Sequence, residues 1–152
     1  MQEPGASRIH RKLIDSLYVE SMLLADEARA YFDATGRDTR LELDPLTRVT
    51  FSCESLKVTT RLMHVIAWLL THRAVDAGEI SESAALLPSR RLGNAPETED
   101  ATLQAMPGQA ATIIVASIDL YRRVARLDNA LDKPAASHSP ARSLVERLTH
   151  AF

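Results

Sequence analysis

The sequence predicts an all-α protein, an antiparallel three-helix bundle with a flexible C-terminal tail. Apolar residues return every three or four positions through three long segments, the spacing that aligns side chains along one face of a helix. The β-branched apolar run at residues 112–116 could form a strand in isolation, but it lies inside a segment that keeps this helical period. We therefore expect one domain over residues 1–132, with helices at about 8–35, 44–77 and 108–131, and a linker with a short amphipathic tail over residues 133–152.

The first helix is predicted from a stripe that begins near Ser7 or Arg8 and ends around Thr35. Gly36 follows it, and we expect this glycine to adopt the left-handed conformation that commonly ends a helix. Residues 37–42 would then form a polar connection. The stripe consists of Ile14, Leu17, Ser21, Leu24, Ala28 and Tyr31.

The second helix has apolar residues on two opposite sides. Asp44 and Pro45 predict its start, because the carboxylate can accept from the first amides and proline needs no donor there, and Gly78 predicts its end. The two rows lie about 160° apart around the helix, so one pair of neighbouring helices can cover only one of them. The other row needs a wrapping segment or a second protein chain. The first row is Leu46, Val49, Cys53, Leu56, Thr60, Met63, Ala67, Leu70 and Ala74, and the second is Phe51, Ser55, Val58, Leu62, Val65 and Leu69.

A long connection separates the second helix from the third. Residues 79–108 lose the apolar period and gather prolines and glycines, and the third helix is predicted to start after Pro107. Residues 133–140 have the composition of a flexible linker. The segment behind it is too short to form a stable helix alone, so we expect it to become ordered on docking, either to its own bundle or to a partner. Its apolar residues are Leu144, Val145, Leu148 and Phe152.

Composition excludes several functional classes. A net charge of −2 gives no long-range attraction to phosphate backbones, so no nucleic-acid partner is expected. The single Cys53, which we expect in the core, excludes an internal disulfide and a multi-cysteine zinc site, and none of the five histidines has the spacing of a metal site. No apolar run spans a bilayer, and the polar start lacks a signal-peptide core. We expect a cytoplasmic protein with no metal, no cofactor and no membrane partner.

Glu54 and Arg61 are the main candidate functional residues, because they are charged and lie seven positions apart on one side of the second helix. With Ser55, Thr59 and Thr60 beside them, they could bind a small dicarboxylate in a helical enzyme. Alternatively, they form ion pairs with Arg122, Arg126 or Asp128 of the third helix. We favour the structural or interface role, because no second basic cluster converges on a pocket.

Two further residues of the second helix have alternative interpretations. His64 follows Lys57 and Arg61 by one or two turns, as a phosphotransfer histidine might, but the helix lacks the glycine that usually lets a phosphotransfer partner approach. A surface or interface histidine is therefore favoured. Trp68 is expected in the core or in a dimer interface rather than under a ligand.

Several runs resemble the alphaproteobacterial family named for its regulator of CtrA degradation, RcdA. The longest is Cys53–Met63, which contains the specific pattern Ser-x-x-x-Thr-Thr-Arg-Leu-Met and continues through residues 67–70, 73–75 and 78–81. Residues 17–18, 30–33, 36–37, 91–93, 120–124 and 126–128 also resemble the family. The resemblance implies a dimeric three-helix bundle with a flexible C-terminal extension and no active site. It further implies an adaptor for the ClpXP protease, which joins a response-regulator-primed ClpXP to substrate proteins or to a cyclic-di-GMP effector protein.

The sequence therefore predicts a non-enzymatic adaptor in regulated proteolysis, a homodimer that contacts its partners through the bundle surface and the tail. The alternative is a small helical enzyme or a histidine phosphotransfer module that uses Glu54 and Arg61 or His64. The expected contact residues are Glu54, Ser55, Thr59, Thr60, Arg61, Trp68, Tyr121, Arg122, Arg126 and Asp128 on the bundle, and Leu144, Val145, Leu148 and Phe152 on the tail.

Overall fold

Three long helices and three short ones build the chain between residues 4 and 132. The computed structural model describes residues 4–132 and 147–151, and this part of the chain is all-α with no strand. Residues 147–151 are helical. Among the described residues, no helix combines the length and apolar character needed to cross a bilayer. The α-helices are α1 (Pro4–Ala30), α2 (Gly36–Glu42), α3 (Pro45–Asp76), α4 (Glu82–Ala85), α5 (Asp100–Gln104) and α6 (Gly108–Ala130).

Gly36 does not end the first helical region, which differs from the prediction. A π-helical turn, Tyr31–Thr35, joins α1 directly to α2, and Gly36 has a right-handed helical φ of −65°. Its amide donates to the carbonyl of Tyr31 five residues earlier, the bond of a π turn. A Cβ at Gly36 would lie 2.8 Å from that carbonyl oxygen and 3.3 Å from Cζ of Phe51. Close packing therefore requires the glycine, and the chain remains helical to Glu42.

Local hydrogen bonds fix both ends of α3. The carboxylate of Asp44 accepts from the amide of Thr47 at 3.1 Å, and the hydrogen bonds from Thr47 lower the pKa of Asp44. The Arg48 guanidinium donates to carbonyls at the end of α2 and just beyond it, at 3.1 Å each, which closes the turn between the two helices. Beyond the other end of α3, Gly78 has a φ of +75°, the left-handed conformation in which a glycine commonly ends a helix.

α1 and α3 run in opposite directions. At one end the rings of Tyr31 and Phe51 lie 6.3 Å apart between centroids, edge to face. At the other end the Arg73 guanidinium lies 4.3 Å above the ring of Tyr18, as a cation–π pair. The two helices therefore form an antiparallel hairpin.

α6 runs in the same direction as α3, which corrects the predicted antiparallel arrangement of all three helices. Arg61 contacts Ser117 and, farther along both helices, Trp68 contacts Asp128. The sequence positions increase together on the two helices, so their axes point the same way. Residues 77–107 make this possible, because they return along α3 before α6 begins.

The core lies between the three long helices and takes only one of the two apolar rows of α3. Met106, at the entrance to α6, also contributes to it. Buried core residues are Ile14, Leu17, Leu24, Ala28 and Tyr31 from the first helical region, Phe51, Val58, Leu62, Val65, Trp68 and Leu69 from α3, and Ala110, Ile113, Ile114, Leu120 and Val124 from α6.

Candidate interaction surfaces

Residues 91–99, which we call the strap, cross α3 and α6 between a 3-10 turn, Pro88–Arg90, and α5. At one end of the strap, Arg91 Nε lies 2.9 Å from Oδ1 of Asp128, and Nη1 lies 2.8 Å from Oδ1 of Asp132. The indole N–H of Trp68 donates to the same Asp128 oxygen at 2.9 Å. These hydrogen bonds lower the pKa of Asp132 and raise that of Arg91, so both groups stay charged. Asp128 thus links the strap to α3 and α6.

The middle of the strap covers His64. The hydroxyl of Tyr121 donates to the carbonyl of Gly93 at 2.6 Å, which holds the strap against α6. A Cβ at Gly93 would lie only 2.5 Å from Nδ1 of His64, so the glycine backbone rests directly on the imidazole. This face of the ring is closed to a phosphoryl donor.

Arg61 holds the other end of the strap. Its guanidinium donates to the carbonyl of Pro96 at 3.0 Å, to the hydroxyl of Thr98 at 2.6 Å and to the hydroxyl of Ser117 at 3.2 Å. Thr98 in turn donates to Oε2 of Glu54 at 2.6 Å, so one hydroxyl bridges the two charged side chains. Burial lowers the pKa of Arg61, while the charge of Glu54 acts to raise it.

Four of the predicted contact residues are therefore buried structural residues. Glu54 is 1% exposed and Arg61 2%, and Trp68 and Asp128 are also buried. Glu54 pairs with Lys57 at 2.9 Å and Asp128 pairs with Arg91, rather than Glu54 and Arg61 pairing with the third helix as the structural interpretation expected. In this structure these side chains fix the strap and offer no contact surface to a partner.

The other predicted contact residues have mixed positions. Ser55, Thr60 and Tyr121 are half-buried, whereas Thr59, Arg122 and Arg126 are exposed. The hydroxyls of Thr59 and Thr60 donate to backbone carbonyls four residues earlier in α3. Leu148 of the tail is exposed. The linker and Leu144, Val145 and Phe152 lie outside the described residues.

The first apolar row of α3 is open to solvent. Leu56 and Met63 are each 66% exposed, and Cys53, which the sequence placed in the core, is exposed as well. Both rows of α3 are apolar, but α1 and α6 pack only on the row of Phe51. We call the following residues the exposed row: Leu46, Val49, Cys53, Leu56, Met63, Ala67 and Leu70.

A metal site needs several ligating side chains close together. Within residues 4–132 and 147–151, no group of three histidine, cysteine or acidic side chains is placed to hold a metal ion.

Comparison with known proteins identifies a family and a similar solved structure. A family model described as a protein of unknown function, DUF1465, matches residues 5–152. The crystal structure of RcdA from Caulobacter crescentus is similar to this chain, with a TM-score of 0.66 and 32% sequence identity, over 83% of this chain and 97% of that one. No curated protein sequence matches the chain significantly.

Proposed function

The chain belongs to the DUF1465 family and is RcdA-like, and from this membership we propose that it is a non-enzymatic adaptor that delivers cell-cycle regulatory proteins to the ClpXP protease. The observation that carries the proposal is the similarity to RcdA along nearly the whole of that chain. The proposed partners are response-regulator-primed ClpXP, a cyclic-di-GMP effector protein and the substrate proteins. This role places the chain in the cytoplasm.

We further propose that the working form is a homodimer of three-helix bundles, in which a second copy covers the exposed row. A single chain leaves this row in water, and apolar patches of this kind are typical of protein interfaces. In a two-fold dimer the same row of both copies would meet.

Light scattering at micromolar concentration should give the mass of a dimer. Leu56→Asp should dissociate it, because the substitution places a charge at the centre of the row. Leu23→Asp is the matched control, since Leu23 lies on α1 and is 65% exposed against 66% for Leu56. A monomeric wild-type chain at this concentration would contradict the proposed dimer.

The enzymatic alternative has less support from the geometry. Glu54 and Arg61 are nearly inaccessible, and their polar atoms are engaged with Lys57, the strap and Ser117. The strap covers one face of His64. A substrate or phosphoryl donor would have to displace the strap before it could reach any of these groups.

A reconstituted degradation assay tests the adaptor function. ClpXP, its response regulator and a candidate substrate would be combined with the full chain or with a chain that lacks residues 133–152. We expect the full chain to accelerate degradation and the truncated chain to fail, with helical content and melting temperature nearly unchanged. Equal acceleration by both chains would refute the role of the tail, and no acceleration by the full chain would refute the adaptor function.

A further inference from the structure

An open groove runs between α1 and α3 toward α2. Two adjoining cavities of about 350 and 370 Å³ form it, and they share Phe32, Asp33 and Ser55. No strap residue lines either cavity. The groove therefore remains accessible beside the α3–α6 surface that the strap covers.

The groove has an apolar floor. Ala28 and Leu62 close it from below, and Phe32 and Ile66 line its sides half-buried. Met63 lies at its edge, where the groove meets the exposed row that we assign to the second copy. A partner that inserts apolar side chains here would remove this surface from water.

The rim of the groove is basic. Arg29, Arg37 and Arg40 line the two cavities together with a single carboxylate, that of Asp33. Across residues 4–132 and 147–151, none of the three guanidinium groups forms an ion pair. Nε of Arg40 is buried and has no hydrogen-bond partner within the same residues. The rim thus offers positive charge to an incoming carboxylate.

The walls of the groove favour a helix over an extended peptide. Both walls are helices whose backbone groups bond within the helix, and the hydroxyl of Thr59 already donates to the carbonyl of Ser55 at 3.1 Å. An extended segment would find few partners here for its own amides and carbonyls. A helix satisfies its backbone internally and needs only side-chain contacts from the groove.

We propose that this groove binds an acidic amphipathic helix of a partner protein, with apolar side chains on the floor and carboxylates against Arg29, Arg37 and Arg40. The proposal rests on the adaptor function and names the chemistry of one partner. The chain's own tail fits less well, because residues 133–152 hold three basic side chains (Lys133, Arg142 and Arg147) against the one acidic side chain of Glu146.

Two synthetic helical peptides of about 18 residues would test the charge and apolar requirements, with leucines at the same helical spacing and either glutamate or lysine beside them. Fluorescence anisotropy with the full chain should give about tenfold tighter binding of the glutamate peptide, since several exposed ion pairs each add a modest increment. The double variant Arg29→Glu/Arg37→Glu should abolish this preference. The control Arg11→Glu/Arg90→Glu changes the net charge equally at exposed positions that do not line the groove.

Four outcomes would overturn the proposal. The first two are no binding of either peptide at about 100 times the Kd of a typical micromolar complex and equal binding of both peptides. The other two are an equal loss of preference in the control variant and binding that strengthens when residues 133–152 are removed. The last outcome would make the tail the occupant. If the full chain delivers substrate in the degradation assay while neither peptide binds, the groove proposal fails and the adaptor function stands.

Discussion

Replacing Arg61 with methionine should destabilise the folded chain by about 3 kcal/mol, the lower end of the range for breaking a buried charged network. The guanidinium is 2% exposed and donates to three groups, on Pro96, Thr98 and Ser117. Methionine has a similar length but removes the donor to the Pro96 carbonyl and to the Thr98 hydroxyl that bridges to Glu54. Lys57 still pairs with Glu54 at 2.9 Å, which is why we expect the lower end of the range. In a chain of this size, about 3 kcal/mol corresponds to a fall in Tm of about 6–12 °C.

Thermal unfolding followed by circular dichroism measures this effect. Limited digestion with a glutamate-specific protease adds a local readout, because the released end of the strap should be cut after Glu97 or Glu99 while the helices stay folded. Arg126→Met is the matched control, since Arg126 is exposed on α6 and its loss should change stability by less than about 0.5 kcal/mol. A fall in Tm of less than about 2 °C for Arg61→Met would refute the reasoning, because a change that small indicates a solvated guanidinium.

Two further predictions concern single residues. Burial lowers the pKa of His72 in the folded chain below its ordinary 6.5. The unfolded chain therefore binds a proton at this side chain more tightly, and the folded chain loses stability as the pH falls below about 6.5. His72→Leu should therefore reduce the loss of unfolding free energy between pH 7 and 5, and an unchanged slope would contradict the assignment. Gly36→Ala should lower the free energy of unfolding measured in urea titrations by about 1–2 kcal/mol, because the added Cβ meets the Tyr31 carbonyl. Gly108→Ala is the control: its Cβ meets nothing within 4 Å, so this substitution should be neutral or slightly stabilising. Equal effects at the two glycines would argue against the packing explanation.

The helical class could be predicted because its signals are local. Asp44 and Ser81 each cap a helix through an amide three residues later, at 3.1 Å in both cases, and such bonds depend only on neighbouring residues. Gly36 shows the limit of local reasoning. Part of the space that excludes a side chain at Gly36 is filled by Phe51, fifteen positions away, and a terminal glycine and a close-packed glycine look alike in a sequence. Likewise, the positions of α1 and α6 determine which row of α3 is buried, and the sequence does not show this because both rows are apolar.

The position of the strap could not be predicted from periodicity, because an irregular segment has none. Thr98 and Arg61 lie 37 positions apart, and the spacing of apolar residues does not indicate that residues 91–99 pack back against α3. A signal was nevertheless present. Glu54 and Arg61 share one side of α3, and Ser117 interrupts the apolar stripe of α6, so polar residues at core positions on both helices indicate an internal hydrogen-bond network. That signal identifies a network but not the strap that completes it.

The shared direction of α3 and α6 has a consequence for the order of folding. The α1–α3 hairpin joins segments that are nearly contiguous, whereas α6 can dock only after the long connection has returned, and closing a longer loop costs more chain entropy. During synthesis the α1–α3 hairpin is completed before α6, the last of the three long helices. We therefore expect the charges of Glu54 and Arg61 to keep their water until α6 and the strap dock, because the groups that replace this water lie on those two segments.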